Sequence, residues 1–151
     1  MHIRRARRDD VPAIVRMLAD DHLGARRESL DDLEPYLDAF AAIDTDPNQL
    51  LAVVEDEDEG AGGVVGTLQL TFIPGLSRRG ATRVLVEAVR VDASRRGSGL
   101  GTTLLKWAID EARRRGCALV ELTSDKSRSG AHRFYERLGF RASHTGFKLF
   151  L

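Results

Sequence analysis

The chain has 151 residues, 42% of them hydrophobic and 30% charged, which is the make-up of one globular domain and predicts a single domain over residues 1–151. Its one cysteine, Cys117, excludes an internal disulfide framework and a cysteine-rich zinc site; the residue is expected as a small buried hydrophobe opening a strand. The charge sums to zero only by cancellation: residues 1–60 carry 7 basic against 16 acidic side chains and residues 61–151 carry 16 against 7, so the second half is where a bound anion is expected.

From the N-terminus, the basic run Arg4-Arg5-Ala6-Arg7-Arg8 is followed by Asp9-Asp10 rather than by an apolar stretch, which is not the pattern of a signal peptide. Residues 2–7 are expected as a short strand. Asp9 or Asp10 ahead of Val11-Pro12 then caps a helix, with Val11, Ile14, Val15 and Leu18 at helical spacing. A second helix is predicted from Leu30 to Ala42, with Leu30, Leu33, Leu37 and Phe40 on one side and Pro35 near its start.

Residues 49–55 and 64–72 form two apolar, partly β-branched runs joined by the charged, glycine-rich turn 56–63, a long-looped antiparallel hairpin. The longest uncharged stretch, Gly60 to Ser77, holds five glycines and Pro74 and cannot cross a bilayer as a helix. With no leader and no span, a cytoplasmic protein is expected. Residues 74–80 read as a loop and 82–91 as a strand.

Leu100–Arg115 carries the strongest helical pattern, with Leu104, Leu105, Ala108, Ile109 and Ala112 on one face and Gly116 just past its end. A strand over 118–123 follows. The helix over 129–138 is closed by Gly139, with Phe140 placed as the hydrophobic contact of a Schellman-type stop. Two short strands, at 140–142 and 146–150, complete the pattern. The order predicts an α/β (α+β) fold: a mixed, mostly antiparallel sheet flanked by helices, with one parallel crossover from 82–91 through the 100–115 helix to 118–123.

Between that strand and that helix lies Arg95-Arg96-Gly97-Ser98-Gly99-Leu100-Gly101-Thr102. A strand, a glycine loop and a helix start turn several backbone N–H groups and the positive end of the helix dipole toward one anion. The spacing is not that of a P-loop, and a dinucleotide fingerprint would need its third glycine at Thr102. Glu121, 20 residues after Gly101, mimics a ribose-binding acid, but a single βαβ unit does not make a dinucleotide fold.

Arg96 to Gly101 does fit [QR]-x-x-G-x-[GA], and Ala131-His132-Arg133-Phe134-Tyr135-Glu136-Arg137-Leu138-Gly139-Phe140 fits A-x-x-F-Y-x-x-x-G-F. With the β-branched strand ending directly before the loop and the same element order throughout, the chain resembles the GNAT superfamily of acetyl-CoA-dependent N-acyltransferases. The segment 117–147 is also similar to aminoalkylphosphonate N-acetyltransferases.

The resemblance implies acetyl-CoA as co-substrate, its pyrophosphate on the N–H groups of Arg96, Gly97, Ser98, Gly99, Leu100 and Gly101 with Thr102 at the helix start. It implies that the pantetheine arm pairs with Val89, Arg90 and Val91, and that the Val89 N–H polarises the thioester carbonyl. Glu87 stands where relatives carry the carboxylate that deprotonates the amine, and Tyr135 matches the tyrosine that protonates the leaving thiolate. Alternation along the strand puts Glu87, Val89 and Val91 on one face. Arg128 and Gly130 stand where relatives carry an asparagine near the start of the last helix. His132 and His144 have no further metal ligand at useful spacing, and no metal site is expected.

The function implied is acetyl transfer to a primary amine of a small molecule. The alternatives are the same chemistry on a protein N-terminus or lysine, and a CoA-binding module without catalysis. Nucleic acid is not expected as a partner, since the basic half has few aromatics among its arginines, and neither is a membrane, since the longest uncharged stretch cannot span one; a homodimer is left open.

Overall fold

The computed structural model describes residues 1–57 and 63–151, so most of the turn expected at 56–63 lies outside the described residues. Its base is seen: the Asp56 N–H donates to the Gly63 carbonyl at 2.8 Å. The chain divides into two compact units, Met1–Glu121 and Leu122–Leu151.

The first unit is built on a sheet. Strands β1 (His2–Arg5), β2 (Gln49–Glu55), β3 (Val64–Pro74), β4 (Thr82–Val91) and β5 (Leu119–Leu122) lie in that order. The first three pairings are antiparallel, and β4 and β5 run parallel, as the crossover predicted. The Ala118 N–H donates to the Thr82 carbonyl at 2.8 Å, so the four-residue β5 lines only the first half of β4.

One face of the sheet is covered by α1 (Val11–Ala19) and α3 (Glu34–Thr45). There Ala6, Val11, Ile14, Val15, Phe40, Leu51 and Val53 form one cluster, with Leu33, Tyr36, Leu37 and Ile43 packed against it. The other face carries α4 (Leu100–Arg114), whose Leu104, Leu105 and Ala108 are fully buried with Leu68, Leu70 and Val84 of the sheet. At Gly66 an added Cβ would meet Leu104 Cδ1 at 3.1 Å, which fixes the even-numbered residues of β3 toward α4. Burying this many aliphatic side chains supplies about 1.5–3 kcal/mol each and is the main source of the unit's stability.

Several boundaries move, each for a local reason. Residues 6 and 7 leave β1 because the chain turns into a 3-10 turn at Arg8–Asp10, where the Asp10 side chain accepts the Arg7 N–H at 2.7 Å. Asp10, 6% exposed, also takes a two-pronged bond from Arg4 at 2.8 and 3.0 Å. Burial pushes its carboxyl up, and the Arg4 and Arg7 bonds outweigh that and hold it below the usual range. Helix α3 begins at Glu34, four residues later than expected, because Pro35 suits only the first turn; Leu30 is left exposed. A one-turn helix α2 (Gly24–Arg27) has no counterpart in the predicted pattern. Residues Ser77–Gly80 form a helical turn that is left-handed at Arg78 and Arg79 (φ 53° and 61°).

Helix α4 ends as Gly116 and its neighbours foretold. Gly116 takes φ 73°, its N–H donates to Arg113, and the Cys117 N–H reaches back to the Ala112 carbonyl at 2.9 Å, a Schellman stop. Cys117 is half-buried rather than buried and precedes β5 instead of opening it; burial pushes its thiol up.

The second unit holds α5 (Ser129–Arg137), which closes the same way: Gly139 at φ 95°, Gly139 N–H to Glu136, and Phe140 N–H to the Tyr135 carbonyl at 3.1 Å. The strands expected at 140–142 and 146–150 do not form. Residues 141–151 are exposed and take part in no ladder, and without a paired neighbour alternating Phe147, Leu149 and Leu151 do not make a strand.

Candidate active site

Strand β4 changes character at Ala88. In the antiparallel pairing Glu87 faces Gln69 and Arg90 faces Thr67, so Ala88 and Val89 together stand across from Leu68. That is a β-bulge, and Ala88 takes φ 52°, the left-handed conformation that a bulge more often gives to glycine. The extra residue resets the alternation, because paired residues share a face. Arg90, not Val89 or Val91, therefore lies on the face of Glu87. Val91 pairs with Gly66 and belongs to the α4 face. The expectation of one face for Glu87, Val89 and Val91 fails because an alanine gives no sequence sign of a bulge.

Glu87 is exposed on the α1–α3 face. Beside it runs a polar row: the Gln69 amide donates to Gln49 Oε1 at 2.8 Å, and the Thr71 hydroxyl donates to the same oxygen at 3.2 Å. Val89, Arg90 and Val91 are half-buried and occupy the half of β4 beyond the reach of β5.

At the end of β4 the chain turns into the loop through a 3-10 turn, Ala93–Arg95. Asp92 caps it, accepting from the Ser94 N–H at 2.9 Å and the Ser94 hydroxyl at 2.6 Å. Those bonds, with Arg96 and Arg16 nearby, hold the Asp92 carboxyl below its usual range. Arg95 ties the loop to the hairpin through Asp56 Oδ2 at 2.6 Å.

Of the N–H groups assigned to the anion, two are engaged locally, Arg96 to the Ala93 carbonyl at 3.4 Å and Ser98 to the Arg95 carbonyl at 3.3 Å. Those of Gly97, Gly99, Leu100, Gly101 and Thr102 meet no acceptor among the described residues; the Thr103 N–H is the first one bonded within the turn of the helix, to Gly99. Gly97 and Gly99 have φ 79° and 87°, and an added Cβ at either would meet nothing within 4 Å. The loop is thus an open cradle of donors at the positive end of a 15-residue helix, and a pyrophosphate fits its chemistry.

Tyr135 belongs to the second unit. It is half-buried on α5, with its ring 5.3 Å from that of Phe134 and 6.0 Å from that of Phe140. The Phe140 contact is the one that accompanies a Schellman stop, so part of the F-Y-x-x-x-G-F pattern is accounted for by helix termination. Arg128 precedes the first turn of α5, and His132 Nε2 lies 2.9 Å from the Asp125 carbonyl. His144 lies against the Ser143 hydroxyl at 2.6 Å. Residues that the sequence reading passed over are Gln69, which only strand register could place beside Glu87, and Asp20 and Asp21, which follow α1 with no motif around them.

The sequence profile described as acetyltransferase (GNAT) family matches residues 11–140. An aminoalkylphosphonate N-acetyltransferase of Salmonella typhimurium is 36% identical over 116 residues, 77% of this chain and 72% of its own. A glucosamine 6-phosphate N-acetyltransferase of Trypanosoma brucei brucei is 40% identical over 89 residues, 58% of each chain. Among solved structures, one named a transcriptional regulator from Bacillus halodurans C-125 superposes with a TM-score of 0.93 at 43% identity, covering 99% of both chains.

Proposed function

The chain belongs to the acetyltransferase (GNAT) family, and on that premise we propose that it moves the acetyl group of acetyl-CoA to a primary amine of a small molecule. The observation that carries the reading is the set of N–H groups at Gly97 and from Gly99 to Thr102 that meet no acceptor among the described residues. Nothing in the sheet requires that set, and it suits the CoA pyrophosphate. The names of the curated relatives support a small acceptor, since aminoalkylphosphonates and glucosamine 6-phosphate are both small amines. The regulator name of one structural neighbour belongs to that protein.

In this reading the pantetheine arm lies along the open half of β4, at Val89–Val91. The Val89 N–H, in the bulge, donates to the thioester oxygen, where charge builds as the amine attacks. Glu87 takes a proton from the ammonium, directly or through water, because only the free amine is a nucleophile. As the amine nitrogen bonds to the acetyl carbon and the carbon–sulfur bond breaks, the sulfur takes a proton from the Tyr135 hydroxyl; the second proton shed by the nitrogen restores that hydroxyl by way of water, and the proton on Glu87 leaves to solvent. The products are an amide and CoA thiol.

The test is release of free thiol from acetyl-CoA by the purified protein, screened against aminoalkylphosphonates, glucosamine 6-phosphate, other small amines, and peptides with free N-termini or lysines. Saturable release with one class of small amine is expected. Release with peptides alone would move the acceptor to proteins, and CoA binding without release for any amine would leave a binding module.

A further inference from the structure

Two adjacent aspartates at the end of α1 bond to the two arginines that bracket the passage from β4 into the glycine loop. Asp21 is built in. Its Oδ1 accepts the N–H groups of Leu23 at 2.9 Å and Gly24 at 2.6 Å, and its Oδ2 lies 3.3 Å from Arg90 Nη2, with both side chains about one-fifth exposed. A Cβ on Gly24 would fall 1.8 Å from the Leu18 carbonyl oxygen, so the chain folds tightly back on the end of α1 and only glycine fits there.

Asp20 is held differently. Its Oδ2 lies 2.6 Å from Arg96 Nη2, its carbonyl accepts from the same nitrogen at 3.2 Å, and both side chains are about half exposed, 53% and 54%. A pair so exposed to water is weak and readily exchanged. Arg96 is also the residue that opens the cradle, while a guanidinium bonds phosphate with two charge-assisted prongs. The other carboxylate near Arg96, that of Asp92, is committed to Ser94.

We propose that Asp20 is an internal competitor for the anion that the glycine loop takes: it holds Arg96 by an ion pair and gives it up when the CoA pyrophosphate arrives. The neighbouring Asp21–Arg90 pair stays fixed, so the exchange frees one aspartate without releasing the end of α1. The proposal rests on the reading of the loop as the CoA site and adds to it a residue that weakens binding.

Calorimetric titration of CoA at low salt into wild type, Asp20→Asn, Arg96→Gln and the double variant tests this. Asp20→Asn is expected to tighten CoA about 2- to 5-fold, the range an exposed ion pair supports. Arg96→Gln is expected to weaken CoA binding and to abolish most of the gain from Asp20→Asn, a coupling that adding salt diminishes. Unchanged or weaker binding by Asp20→Asn, with wild type binding normally, overturns the proposal. So does an equal gain with and without Arg96, which would make Asp20 only a distant charge. Failure of wild type to bind CoA at all is a separate result and removes the reading of the loop itself.

Discussion

The two halves of β4 are opposite in construction. Thr82–Glu87 is regular: it is paired with β3 on one side, lies beside β5 on the other, and buries Val84 and Val86 against the core. Ala88–Val91 carries a bulge, has no strand beyond it on one edge among the described residues, and runs into a loop of unbonded donors. The turns at the two ends differ too. Before β4, positive φ falls on Arg78 and Arg79 as well as Gly80; after it, on the glycines Gly97 and Gly99 alone. Glycine adopts it without penalty and leaves the backbone bare for a ligand, whereas arginine carries strain and a long side chain. The proposed ligand site falls in the half where regular pairing is given up and the backbone is left open.

The largest expected effect falls at the junction of the halves. Glu87→Gln keeps the shape and removes the proton acceptor, so kcat/KM for the amine should fall at least ~10²-fold at pH 7, with much of the loss recovered at higher pH as free amine increases. A loss of less than a few-fold across the pH range, with chemistry limiting in wild type, would take Glu87 out of the reaction. Tyr135→Phe should lower kcat about 10-fold or more while leaving acetyl-CoA affinity nearly unchanged, because the hydroxyl acts only as the thioester breaks. An unchanged kcat for the chemical step would leave Tyr135 as the partner of Phe140 in the helix stop.

Gly101→Val sharpens the contrast between bare and covered backbone. Gly101 lies inside α4 without a left-handed φ, so the substitution suits the helix and should leave Tm unchanged or slightly raised. Crowding the anion should nonetheless weaken CoA about 10-fold, or 1.4 kcal/mol. Equal affinity would count against the loop as the cradle. The smallest effect belongs to the other turn. Arg79→Gly relieves a left-handed arginine at about 1–2 kcal/mol and adds back about 0.5–1 kcal/mol of glycine entropy. A Tm rise of about 1–2 °C with unchanged activity is expected; a fall would show that the arginine side chain contributes a contact.

What could be read in advance follows the same division. Helix α4, its Gly116 stop and the glycine loop were legible because period and punctuation are local properties, visible as Leu104, Leu105 and Ala108 on one face and as glycines where φ is positive. The Gly139–Phe140 stop was legible for the same reason. The bulge at Ala88 was not, since it depends on register with β3 and falls on an ordinary residue. The left-handed Arg78 and Arg79 carry no glycine mark. The strands expected at 140–142 and 146–150 need a paired neighbour, which a short local run cannot supply, and Asp20 and Asp21 become meaningful only when folding brings them to Arg96 and Arg90.

In the proposed function the N–H groups of the loop hold the anion of acetyl-CoA. Titrating CoA into protein labelled with ¹⁵N-glycine reads Gly97, Gly99 and Gly101 directly. These three amide signals are expected to move saturably and together, with the largest shifts among the labelled glycines. Shifts confined to glycines elsewhere, such as Gly75, Gly80 or Gly116, with the loop signals unmoved, would contradict it.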